Sequence, residues 1–160
     1  MIVTTGILLI DGHKFLVGHV TGSEGTPHND WSIPKGQVDN HDPDDFSVWG
    51  AAQILQDEYH QNAFRELHEE CNIPTLELLQ SANYIGIDEE VYPNKRKKVI
   101  CFIYELHTPL TCEIKCNSIV PELNYPEFDD HKWIDLSDNE FETMHPAQQE
   151  IIKRYFIQQG

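Results

Sequence analysis

The chain has 160 residues, 39% hydrophobic and 10% aromatic, enough to bury about two-thirds of its unfolded surface around one core, so a single domain over 1–160 is expected. Its 11 basic residues against 27 acidic ones leave a formal charge of −16, which argues against unassisted contact with duplex nucleic acid or an anionic membrane, both polyanions. No apolar run reaches the roughly 18 residues of a membrane span, and ILLI at 7–10 has neither the length nor the basic leader of a signal peptide; a soluble, cytoplasmic protein is expected.

The N-terminal third carries strand signals. VTTGILLI at 3–10 and KFLVGHV at 14–20 flank Asp11-Gly12, a strong hairpin cue. A polar loop, SEGTPHND at 23–30, leads to WSIPKGQV at 31–38, which is β-like but broken by Pro34 and Gly36. Such a break leaves backbone amides and the Lys35 ammonium exposed. From Asp42 the pattern turns helical, with Asp42 as cap, Pro43 at the first helical position, and Asp44 and Asp45 at the positive end of the helix dipole. A second helix is expected from about Glu58 to Cys71, stopped by Pro74.

Further strands are expected at 82–89, 98–106 and 131–136. The run Val99–Tyr104 has no strongly polar residue and predicts a central strand covered on both faces. PNKRKK at 93–98 is the only concentrated positive charge. A closing amphipathic helix at 146–158 would bury Ile151, Ile152, Tyr155 and Phe156. Four unevenly placed cysteines do not make a disulfide scaffold, and Cys112 and Cys116 lack the spacing of the usual zinc knuckles.

Within FRELHEECNI at 64–73, Glu66, Glu69 and Glu70 fall inside a helical sector of roughly 100°. Two readings stand side by side: a solvated helix face, or a site for a cation. The carboxylates would point away from the core, because Phe64, Leu67 and Cys71 form a separate apolar stripe; Arg65 can pair with Glu69 four residues on. Oxygen-only ligands suit hard ions such as magnesium or manganese, which also take substrate phosphates. Asn72 stands where a left-handed residue ends many helices, so the helix should stop just beyond its acids.

The segment RELHEECNI resembles the core of the Nudix box. That family pattern runs Gly, five residues, Glu, seven residues, then Arg-Glu-aliphatic-x-Glu-Glu-x-Gly-aliphatic. Arg65, Glu66, Leu67, Glu69, Glu70 and Ile73 match it; Asn72 replaces the last Gly, and Asp57 stands at the earlier Glu. Gly36 corresponds to the opening Gly, but 20 residues separate it from Asp57, so an insertion at about 41–55 splits the motif. The insertion is read as a flap over the site, a homodimer surface, or a loop without a role.

WSIPKG and NKRKKVICFIYELH are most similar to the asymmetric dinucleoside tetraphosphate hydrolases, and PEFDDHKWIDL at 126–136 to their segment with a Glu six residues before a Trp, here Glu127. The resemblance implies an α/β/α sandwich with a mixed sheet. It also implies magnesium-dependent hydrolysis of a phosphoanhydride in a nucleoside diphosphate-linked substrate, with manganese as a substitute. A dinucleoside polyphosphate such as diadenosine tetraphosphate leads; ADP-ribose, nucleoside triphosphates and capped RNA ends are alternatives, as is a non-catalytic module that binds nucleotides or a protein. Glu66, Glu69 and Glu70 would hold the metal, and Glu69 or Glu127, with Glu122 behind, would accept the proton from water. Lys35, Gly36 and, more weakly, Lys98 would contact substrate. Tyr84, Tyr92 and Phe102 are either base-stacking or core residues.

Overall fold

The computed structural model describes residues 1–23, 30–38, 51–116 and 126–159. The proposed cap at Asp42, residues 41–50 of the insertion, and Glu122 lie outside the described residues. Strands β1 (Ile2–Asp11) and β2 (Lys14–Val20) form the expected hairpin, with Ile10 opposite Phe15 and Gly12 at the positive φ of 66° that a two-residue loop needs. β1 pairs with β2 only near this turn. Its N-terminal half pairs instead with β4 (Lys35–Gln37), placing Thr5 opposite Gly36 and Gly6 opposite Lys35. That divergence opens the sheet where β3 (Trp31–Ser32) turns through Pro34 into β4, and the site described below occupies it.

On its other edge β1 runs parallel to β6 (Lys97–Leu106), which is antiparallel to β5 (Ala82–Val91); β7 (Phe128–Ile134) lies antiparallel to β2. Among the described residues the result is a mixed sheet of seven strands. Val99–Tyr104 of β6 is buried throughout, as its unbroken apolar run predicts. Period-two alternation sends Ile7 and Leu9 to one face and Leu8 and Ile10 to the other. The first face is covered by helix α1 (Ala51–Cys71) through Phe64, Leu67 and Cys71; the second by α4 (Pro146–Gln159) through Ile151, Ile152 and Tyr155. This is the expected α/β/α sandwich, with Phe156 only partly buried.

Three elements differ from expectation. Over the described residues α1 is one continuous helix, so the helical pattern expected from Asp42 and the second helix expected from about Glu58 are not separate at 51–71: the stretch has no Gly or Pro to break it. Short helices α2 (Thr75–Ser81) and α3 (Asn139–Glu142) also form where no helix was anticipated. Pro74, read as a stop, is at the same time the extended residue from which α2 starts.

Candidate active site

The Glu66 and Glu70 side chains do not point away from the core. Both are buried, with 8% and 6% of their surface accessible, because the face that carries them is covered by β4. Gly36 makes that contact possible: a Cβ there would lie 2.1 Å from the Glu66 carboxyl carbon. The Lys35 backbone N–H donates to Glu70 Oε1 at 2.8 Å. One turn before Glu66, Asn62 donates to the Gly36 carbonyl at 3.1 Å and to Thr5 Oγ1 at 2.8 Å. The glycine strand and the acidic helix are thus joined in space despite the 20 residues between Gly36 and Asp57.

Glu127, just before β7, completes the arrangement. Its carbonyl accepts the Thr21 N–H at 3.0 Å, and its carboxylate oxygen lies with those of Glu66 and Glu70, all within 4.8 Å of one another. A cavity of about 360 Å³ lined by Lys35, Gly36 and Thr4 opens onto Glu70 and Glu127 of the trio. Glu69 is outside it, half-exposed and 4.0 Å from Arg65 in the expected i, i+4 pair. Asn72 has the predicted left-handed φ of 61° and ends the helix; its side chain donates to the Glu113 carbonyl.

Burial raises the Glu66 carboxyl from its ordinary 4.5 to about 7, with Glu69 and Glu127 adding repulsion and Arg65 and Lys35 opposing it. Burial likewise holds Glu70 well above the usual carboxylate range, reinforced by Glu66 and Glu127 and opposed by Lys35 and its N–H. Buried acids this close need protons or a cation. The all-oxygen donors fit a hard divalent ion, so Glu66, Glu70 and Glu127 could hold one.

Lys98 is not brought to the cavity: it faces Glu89 at 3.5 Å. Its neighbour Lys97 instead lines a second cavity of about 320 Å³, which shares Thr4, Ser32 and Lys35 with the first and includes Trp31 and Tyr92. Tyr92 is stacked on His145 at 3.9 Å, Phe102 is buried against His60, and Tyr84 is half-exposed beside Tyr104. All four cysteines are free thiols, and among the described residues no cysteine joins a cluster with metal-binding geometry. Asn62 escaped sequence reading, although its spacing of four from Glu66 and eight from Glu70 places it on their face.

A mixed sheet between helices thus brings buried acids against a glycine strand at a cavity lined by Lys35, Glu70 and Glu127. The NUDIX domain model matches residues 2–155, and the chain belongs to that family of pyrophosphohydrolases, which generally use a divalent metal. No curated protein matches the sequence. Among solved structures, a Caenorhabditis elegans Ap4A hydrolase binary complex is similar at 19% identity and a TM-score of 0.63, with 96% of each chain covered. A bifunctional NMN adenylyltransferase/ADP ribose pyrophosphatase from Francisella tularensis, complexed with AMP and a manganese ion, shares 20% identity at a TM-score of 0.64. The match covers 99% of this chain but 42% of that one. The MutT protein of Methanosarcina mazei is similar at 17% identity and a TM-score of 0.57, covering 99% and 94%. At these identities the likeness is one of fold.

Proposed function

We propose that the protein is a magnesium-dependent hydrolase of dinucleoside polyphosphates, diadenosine tetraphosphate being the leading substrate. The observation that carries this reading is the convergence of Glu66, Glu70 and Glu127 beside a cavity that continues past Lys35 into a second one lined by Lys97. Two adjoining cavities with a lysine in each suit a substrate with a nucleoside at each end of a polyanionic chain. The C. elegans Ap4A hydrolase among its structural neighbours supports the same substrate class.

Glu66, Glu70 and Glu127 are the proposed metal ligands; Glu69, the third ligand expected from the sequence, lies outside the trio. When bound, the ion neutralises phosphate oxygens and makes water acidic enough to attack at neutral pH. The chain's own residues do the rest. Lys35 and Lys97 bind non-bridging phosphate oxygens as point charges, and the Lys35–Gly36 edge lets the phosphate chain approach the backbone. Glu69, in solvent and outside the trio, is the preferred proton acceptor, with Glu127 as the alternative. We place one domain over 1–160 in the cytoplasm, with the insertion at about 41–55 as a flap over the site, a homodimer surface or a loop without a role; deleting it and measuring activity and mass in solution separates the three. Among the described residues, no helix is long and apolar enough to cross a membrane.

ADP-ribose is the second reading, favoured by the F. tularensis neighbour's pyrophosphatase. Incubation with magnesium and a nucleotide panel, followed by chromatography, separates the two. AMP and ATP from diadenosine tetraphosphate support the first, AMP and ribose 5-phosphate from ADP-ribose support the second, and binding without turnover contradicts both.

A further inference from the structure

We infer that Asn62 is a positioning residue that holds the glycine strand against the metal-binding helix; the inference rests on the proposed role of Glu66 and Glu70 as metal ligands. A long insertion separates Gly36 from the helix in sequence, so chain connectivity does little to fix one against the other. The ladder to β1 places β4 in the sheet and the Lys35 N–H holds Glu70, but the spacing to helix α1 at Gly36, which packs directly under the Glu66 carboxyl, needs a contact of its own.

The buried Asn62 amide is placed to do this. Its nitrogen donates both to the Gly36 carbonyl, at 3.1 Å, and to Thr5 Oγ1, at 2.8 Å, tying helix α1 to β4 and to β1 at one point. Its oxygen accepts from Arg65 Nη2, the same nitrogen that lies 3.4 Å from Glu66 Oε1. A neutral acceptor thereby draws the guanidinium partly off the carboxylate. Without Asn62, the Gly36 carbonyl keeps only its ladder partner on β1, the tie from β4 to helix α1 at this point is lost, and Arg65 turns fully to Glu66 and Glu69, competing with a cation for their oxygens. The amide suits this position better than a carboxylate, which could accept from Arg65 but could not donate to Gly36 and would add charge beside Glu66.

Groups that orient metal ligands without touching the metal commonly change affinity by about 10–100-fold. The test is titration of the full-length protein with Mn2+, reading free ion by electron paramagnetic resonance, for wild type, Asn62→Leu, Asn62→Ser and Thr5→Val, each checked by thermal melting. Asn62→Leu should weaken Mn2+ binding by about 10-fold or more at temperatures where it remains folded. Raising Mn2+ should restore its kcat toward wild type with little change in the KM for nucleotide. Asn62→Ser serves if the leucine variant does not fold. Thr5→Val removes only the bond to β1 and should leave affinity unchanged. Unchanged Mn2+ affinity in a folded Asn62 variant overturns the inference, as does an equal loss in Thr5→Val, which would assign the effect to helix anchoring. Absence of Mn2+ uptake by the wild type overturns instead the metal-site reading beneath it.

Discussion

Replacing Glu66 with glutamine should remove part of the stability that the protein loses as pH rises in the absence of metal. Burial raises the Glu66 carboxyl from 4.5 to about 7, so between those values the folded protein keeps a proton that the unfolded chain releases. The sign follows directly: the contribution is fully present below about pH 4.5 and is lost as pH rises through about 7. The difference corresponds to about 3 kcal/mol at pH 8, or roughly 6 to 12 °C in melting temperature for a chain of this size. Glutamine carries no charge at either pH and escapes the loss. Carboxyls whose pKa is lowered, such as Glu140 beside Lys132, act in the opposite sense, so the informative quantity is wild type minus variant. Thermal melts with chelator at pH 5 and pH 8 should show the variant gaining on the wild type by several degrees as pH rises. Added Mn2+ should stabilise the wild type far more at pH 8 than at pH 5. Parallel pH slopes for the two proteins would refute the burial argument.

Three other substitutions probe the site from different sides. Glu70→Gln keeps an oxygen for the Lys35 N–H, so hydrolysis with metal should vanish while the melting curve shows an intact fold; a fully active variant would refute the role given to Glu70. Gly36→Ala drives a methyl into the Glu66 carboxyl and should destabilise by about 1–3 kcal/mol in denaturant titrations, with metal-dependent activity lost. Asn72→Gly relieves the left-handed backbone but gives up the bond to the Glu113 carbonyl, so its stability should stay within about 1 kcal/mol of wild type; a larger loss would show that the side chain matters more than the turn.

Local patterns made much of this architecture legible. Asp11-Gly12 fixed the hairpin, the unbroken Val99–Tyr104 run marked the covered central strand, and Asn72 marked the helix end. What local patterns do not carry is which strands meet. The parallel pairing of β1 with β6 depends on residues about 95 apart in sequence. The burial of Glu66 and Glu70 follows from the docking of β4, and a charged triplet on a helix reads as solvated until its covering strand is known. Which lysine of β6 lines a cavity is likewise not local: neighbouring residues of a strand point to opposite faces, so Lys98 meets Glu89 while Lys97 lines the second cavity. Glu127 was legible only through the resemblance, since nothing local distinguishes it from Asp129 and Asp130.

The most direct measurement is calorimetric titration of Mg2+ into the wild type and into Glu70→Gln at pH 8, with and without a non-hydrolysable dinucleotide. Saturable uptake by the wild type that Glu70→Gln loses is the predicted result. No uptake by the wild type under either condition, or equal uptake by the variant, would contradict the assignment of these buried acids to a divalent ion.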